Sequence, residues 1–237
     1  MIAITDKTTV SEVARAFPGS VRVFQQYGID FCCGGAKQLG EACREKGVPL
    51  EGFLAGVENA LSAEVPDTSD WSTATLSQLI DHILAKHHAY LRAEFPRLAG
   101  MLAKVIAVHG ERHPELRHPL GDLYAGLQRE LEGHMWKEEN VLFPLIKRME
   151  QGQGAGEERT QGMPVGGPIR MMEMEHESAG NALRQMRQVT SNYQAPEDAC
   201  NTYRALFDGL NTLEADLHQH IHLENNILFP RAIELGG

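Results

Sequence analysis

The chain has 237 residues, 42% of them hydrophobic and 23% charged, with a formal net charge of −10. This size and balance suit one large soluble domain, or a medium domain with a small companion, rather than a disordered or fibrous chain. The 32 acidic against 22 basic side chains, with no basic cluster, argue against a nucleic-acid groove. No apolar run reaches the length of a bilayer span, and the opening MIAITDKTTV carries no secretory apolar core. Four cysteines, two of them adjacent, are too few for a disulfide scaffold, so a reducing cytoplasm is the expected compartment. The unusual count is eleven histidines, which fall between His82 and His222.

Residues 1–65 read as a small helical domain. Thr9-Val-Ser-Glu12 is a capping box, and Val13, Phe17, Val21 and Phe24 supply apolar positions around a break at Pro18-Gly19. Gly28 ends that run, Asp30-Phe-Cys-Cys-Gly-Gly35 makes a turn, and Ala36 to Lys46 is expected to be helical. Pro49 opens a short helix through Leu61, and Ala63 to Asp70 is a polar linker. A core this small is marginal alone, which invites a homodimer contact. Cys32 and Cys33 are expected just before a helix, whose N-terminal partial charge favours thiolate, and the two glycines permit close backbone approach. Metal handling, thiol redox chemistry and a dimer contact are the functional readings of the pair. Small turn residues in a compact module are the alternative, with Cys43 and Cys200 structural. Adjacent cysteines close only a strained disulfide.

From residue 71 to 237 the pattern is that of a four-helix bundle. The expected helices are Thr75–His109 (bent at Pro96), Pro119–Glu150, Pro168–Asn192 and Pro196–Ile233. A His/Pro loop at 109–118, a segment at 151–167 with six glycines and a short turn at Tyr193–Ala195 connect them. The glycine-rich segment reads as a flexible loop or lid. Almost no β-branched alternation appears, so the fold class is all-α.

A repeat runs through the bundle. His134-Met-Trp-Lys-Glu138-Glu-Asn140-Val-Leu142-Phe143-Pro144 recurs as His220-Ile-His-Leu-Glu224-Asn-Asn226-Ile-Leu228-Phe229-Pro230, with six of eleven positions identical. The bundle therefore reads as two helix pairs of related sequence. In each copy His-x-x-x-Glu sets an imidazole and a carboxylate on one helix face, with Cβ atoms about 6 Å apart. That face is apolar. The second helix runs Leu127, Leu131, His134, Glu138, Val141, Leu145, and the fourth runs Leu206, Leu210, Leu213, Leu217, His220, Glu224, Ile227. Ile80, Leu84, His88, Leu91 and Phe95 mark the first helix, and Ile169, Met172, His176, Ala179, Leu183 and Met186 the third. Each helix thus places one histidine on its core seam, and two add a glutamate.

A metal-free polar core is the bland alternative. Two buried carboxylates and four imidazoles would consume much of a total stability of about 5–15 kcal/mol. A pair of metal ions supplies the positive charge that the carboxylates need. Nitrogen and oxygen donors without thiolate suit Fe, Mn or Zn, and a closed tetrahedral zinc site fits six shared ligands poorly. Two bridging carboxylates with two histidines per metal leave room for an oxo or hydroxo bridge and an open position. Two Fe ions are the expected cofactor. Among the other histidines, His218 and His222 fall on the face opposite His220 and read as solvated. His82 lies off its stripe, His87 competes with His88, and His109, His113 and His118 fall in a loop.

The cysteine-glycine segment followed by a bundle carrying His-x-x-x-Glu-x-Asn-x-Leu-Phe-Pro resembles the RIC family, the di-iron iron–sulfur cluster repair proteins of the YtfE/ScdA type, whose bundle is hemerythrin-like. The similarity runs over nearly the whole chain in the same order. It implies His88, His134, Glu138, His176, His220 and Glu224 as iron ligands, the glutamates bridging, and Cys32 and Cys33 as the family's cysteine pair, acting in transfer or docking. It further implies Glu130 and Glu175 as acidic positions on a path towards the metals. The implied function is a stress response in which clusters damaged by nitric oxide or peroxide are restored, with iron released from a labile di-iron site. Its partners would be the proteins that carry those clusters. A second reading is an enzyme that reduces two molecules of nitric oxide to nitrous oxide at the same ions. A third is an oxygen-binding carrier or sensor, which would need neither the cysteine module nor its Gly-Gly turn.

Overall fold

The computed structural model describes residues 4–17, 19–32, 34–62, 71, 73–152 and 165–236. Their secondary structure is helical, with one isolated bridge between Thr9 and Gln38. No described helix is long and apolar enough to cross a membrane. The chain packs as two units, Met1–Leu79 with His218–Leu235, and Ile80–Leu217 with Gly236.

The first unit contains α1 (Val10–Ala16), α2 (Ser20–Tyr27), α3 (Leu39–Glu45) and α4 (Leu50–Ser62). The expected capping box opens α1: Thr9 N–H donates to Glu12 Oε2 at 2.8 Å, and Glu12 N–H to Thr9 Oγ1 at 3.3 Å. Gly28 closes α2 at φ 64°, a left-handed position that glycine adopts without strain. The core joins Val10, Val13, Phe24, Phe31, Leu39 and Phe53 to Ile221. Phe24 stacks on Phe31 at 5.9 Å and tilts against Phe53 at 4.8 Å.

The helix expected from Ala36 begins later, at Leu39. The intervening carbonyls are engaged elsewhere: Val10 N–H donates to Lys37 O and Ser11 N–H to Gly35 O, both at 2.9 Å. The first two N–H groups of α1, which have no partner in their own helix, are satisfied by Lys37 and Gly35 instead. Cys32 is therefore several residues from the start of α3, and the helix-terminus argument for a thiolate there does not apply.

The long helical runs come next in chain order. α5 (Leu76–Ile83) passes through a π turn at Leu84–His88 into α6 (Ala89–His109), which contains Pro96. α7 (Asp122–Lys137) passes through a π turn at Glu138–Leu142 into α8 (Phe143–Glu150). α9 (Gly166–Val189) contains no such turn, and α10 (Asn201–Leu223) passes through a π turn at Glu224–Leu228 into α11 (Phe229–Gly236). In the second unit one core gathers Leu91, Phe95 and Leu98 of α6, Leu127 and Leu131 of α7, Leu183 and Met186 of α9, and Leu206, Leu210, Leu213 and Leu217 of α10.

Two of the π turns have a cause in the repeat. Pro144 and Pro230 lack an N–H, and their rings crowd the carbonyls four residues back, at Asn140 and Asn226. The helix widens to relieve this, so Phe143 N–H donates to Glu138 O and Phe229 N–H to Glu224 O, five residues back. The added residue rotates the rest of the helix about its axis. Val141, expected on the core seam, is 48% exposed, while Leu142 and Ile146 are buried. His109, expected in a loop, is the buried last residue of α6.

Candidate metal centre

Among the described residues, two groups of donors each fall within 4.8 Å: His88, Glu138, His220 and Glu224, and His134, Glu138, His176 and Glu224. All six side chains are buried, at 0–1% exposure. Glu138 sits at the first position of its π turn and Glu224 at the first position of its own, while His88 is the last residue of the turn at Leu84–His88.

Within the second unit, Glu138 Oε2 lies 3.3 Å from His88 Nε2 and 3.3 Å from His134 Nε2. His176 Nε2 is 3.0 Å from His134 Nε2. On the C-terminal segment, His220 Nε2 and Glu224 Oε1 are 3.0 Å apart, one helical turn from each other.

The outer ring nitrogens fix which inner ones carry lone pairs. His88 Nδ1 donates to Glu139 Oε1 at 2.7 Å, and His134 Nδ1 to Glu175 Oε2 at 2.9 Å. In the neutral rings Nε2 is then the bare nitrogen, directed at the Glu138 carboxylate. Lone pairs facing a carboxylate, with a second carboxylate in the same buried donor groups, call for positive charge in their midst. Imidazole nitrogen and carboxylate oxygen fit iron, manganese or zinc.

Each orienting carboxylate is itself held. Arg92 contacts both oxygens of Glu139, at 2.6 and 2.5 Å, and Lys137 pairs with Glu175. Burial alone would raise the Glu139 carboxyl, but hydrogen bonds from His88 and Arg92 hold it below its ordinary value. Glu175 shows the same pattern: burial raises it, and Lys137 and His134 outweigh that and lower it. Sequence reasoning missed Glu139 and Arg92. The available signal was an arginine one turn past His88 and a second acid beside Glu138.

The other sequence candidates are dispersed. His87 Nδ1 bonds Asp216 Oδ1 at 2.9 Å and belongs to neither donor group. Glu130 is exposed, accepts from Ser178 Oγ at 3.0 Å, and lines an open groove of about 330 Å³ with Asp122, Gly126 and Asn181. His222 is not solvated as expected. It is buried, its Nδ1 accepts from Asn226 Nδ2 at 2.9 Å, and burial pushes its pKa down to about 4. Cys32 is buried too, with its N–H on Asp30 Oδ1 at 3.1 Å and its Sγ 3.4 Å from the same oxygen. Burial pushes the Cys43 thiol up, and Cys200 is exposed. Cys33 lies outside the described residues, as does 153–164 of the glycine-rich segment.

Comparison with known proteins adds to this geometry. Residues 79–232 match the hemerythrin HHE cation binding domain, and residues 6–61 match a domain of unknown function (DUF542). The chain is 40% identical over 224 residues to the iron-sulfur cluster repair protein YtfE of Citrobacter koseri, covering 94% of this chain and 96% of the relative. The YtfE protein of Escherichia coli O157:H7 gives the same figures, and that of Yersinia pseudotuberculosis is 39% identical over 225 residues, 95% of this chain and 96% of the relative.

Proposed function

The chain belongs to the iron–sulfur cluster repair proteins of the YtfE type, and from that premise we propose that it restores clusters damaged by nitric oxide or peroxide in the cytoplasm. Two irons would be held by His88, His134, Glu138, His176, His220 and Glu224. The observation that carries this reading is that the two donor groups share Glu138 and Glu224, leaving two histidines to each. The two shared carboxylates would hold both ions, and an oxo or hydroxo group would complete the pair. Iron held there would supply redox-active ions for the repair of a damaged cluster.

The chain's own residues do the rest. Burial of all six donors keeps bulk water from them. Glu139 and Glu175 hold His88 and His134 in one tautomer, and Arg92 and Lys137 keep those carboxylates ionised and in place. Cys32 and Cys33 would act in transfer or in docking to the damaged protein.

The test uses a dehydratase whose iron–sulfur cluster has been damaged by nitric oxide. Activity should return with the iron-loaded chain and not with the iron-depleted one; equal recovery from both contradicts the proposal. A second reading, reduction of nitric oxide to nitrous oxide, draws on the same shared carboxylates, which would set two ions side by side. Replacing both Cys32 and Cys33 by serine separates the two, because repair through the thiols should fail while nitric oxide consumption persists.

A further inference from the structure

Asn226 occupies the Asn position of the repeat, and its counterpart Asn140 shows the residue's default. Asn140 Nδ2 donates to Trp136 O at 2.8 Å, four residues back in its own helical run. Asn226 does something else. Its Nδ2 donates to Phe31 O at 3.1 Å and to His222 Nδ1 at 2.9 Å, engaging both amide hydrogens. Asn225 Nδ2 adds a bond to Cys32 O at 3.3 Å. Consecutive side chains of the π turn that starts at Glu224 therefore hold the carbonyls of Phe31 and Cys32.

Gly35 of the cysteine turn lies beside the same contact. A Cβ at Gly35 would come within 2.9 Å of Ser11 Cβ, 3.3 Å of Phe31 O and 3.5 Å of Asn226 Oδ1. One at Gly34 would come within 3.1 Å of Asp30 O. A side chain at Gly35 would push the turn away from Ser11 of α1, while its Cβ would only touch Asn226. The cysteine-glycine motif and the motif asparagine, far apart in sequence, thus meet in one packing arrangement.

We infer that Asn226 is a positioning residue for Cys32: it ties the cysteine turn to the π turn beginning at Glu224, so that reagent access to the Cys32 thiol depends on whether Glu224 is engaged by metal. The metal dependence rests on the iron reading above; the tie itself does not. The backbone supplies the link, because Glu224 O accepts from Phe229 N–H and closes the turn that carries Asn225 and Asn226.

Alkylation of the full chain by iodoacetamide tests this, with fragment-ion mass spectrometry assigning Cys32 apart from Cys33. Asn226→Asp removes both donors at nearly constant shape and should raise the Cys32 rate about tenfold, the scale of a lost buried hydrogen bond. Asn140→Asp, which loses only a bond within its own helical run, should leave the rate within about twofold. In the unmutated chain, chelating the iron should raise the rate severalfold, and Asn226→Asp should abolish that dependence. An unchanged Cys32 rate in Asn226→Asp overturns the inference, as does one rate with and without iron in an unmutated chain shown to bind it. Circular dichroism and iron content are read on every sample. Should Asn226→Asp fail to fold, the unmutated comparison still decides. Should no preparation take up iron, the proposed function fails while the Asn226→Asp and Asn140→Asp rates still decide whether the tie exists.

Discussion

The two copies of the repeat share their donor residues and their backbone but not their cover. In both, an α-helix opens into a π turn at the glutamate and resumes at the Phe-Pro pair. Two residues after the histidine, Trp136 is 61% exposed and His222 only 2%. Seven residues after it, Val141 is 48% exposed and Ile227 only 6%. The second copy is covered because the segment carrying it packs with residues 10–57: Ile221 joins that core, and His222 meets the Phe31 ring edge-on at 5.5 Å. Identical positions set the donor geometry whatever lies behind the helix. The non-identical ones adapt each copy to solvent or to the cysteine turn.

The comparison breaks most visibly at its shared part. Glu138→Ala or Glu224→Ala removes a carboxylate common to both donor groups. Either should take the iron content from about two per chain to below one by elemental analysis, whatever covers that copy. Full retention in one of them would mean that the copies are not equivalent as ligands. Next in size are the orienting carboxylates. Glu139→Gln and Glu175→Gln should each weaken iron binding about 10–100-fold in competition with a chelator, and undiminished affinity would mean that other contacts orient His88 and His134. The smallest effect sharpens the contrast in cover. Urea unfolding should show His222→Ala destabilising by about 2 kcal/mol, through the lost hydrogen bond and the cavity. Trp136→Ala at the matching position should stay within about 0.5 kcal/mol. Equal effects would contradict the account of the two covers.

The all-α class and the long helices were legible because apolar residues recur every three or four positions over many turns. The same seam selects the six side chains that the structure brings into its two donor groups. Adjacent residues such as His87 and His88 differ by only about 100° around a helix, so periodicity left them competing. The structure turns His87 to Asp216 and His88 to Glu138. The π turns escaped because periodicity averages over them, although a proline at the same place in both copies was a usable signal. His222 was misplaced because a helix was assigned one buried face and one wet face. The C-terminal segment instead carries buried side chains on both, His220 on one and His222 on the other. The start of α3 was misjudged because the carbonyls before it serve the first turn of α1, a demand set by packing rather than by local propensity.

Elemental analysis of the full chain, grown with ample iron and purified without added metal, tests the central claim most directly. The shared glutamates predict about two irons per chain. Zinc in their place, or no metal at all, would contradict a redox-active iron pair and the repair chemistry that depends on it.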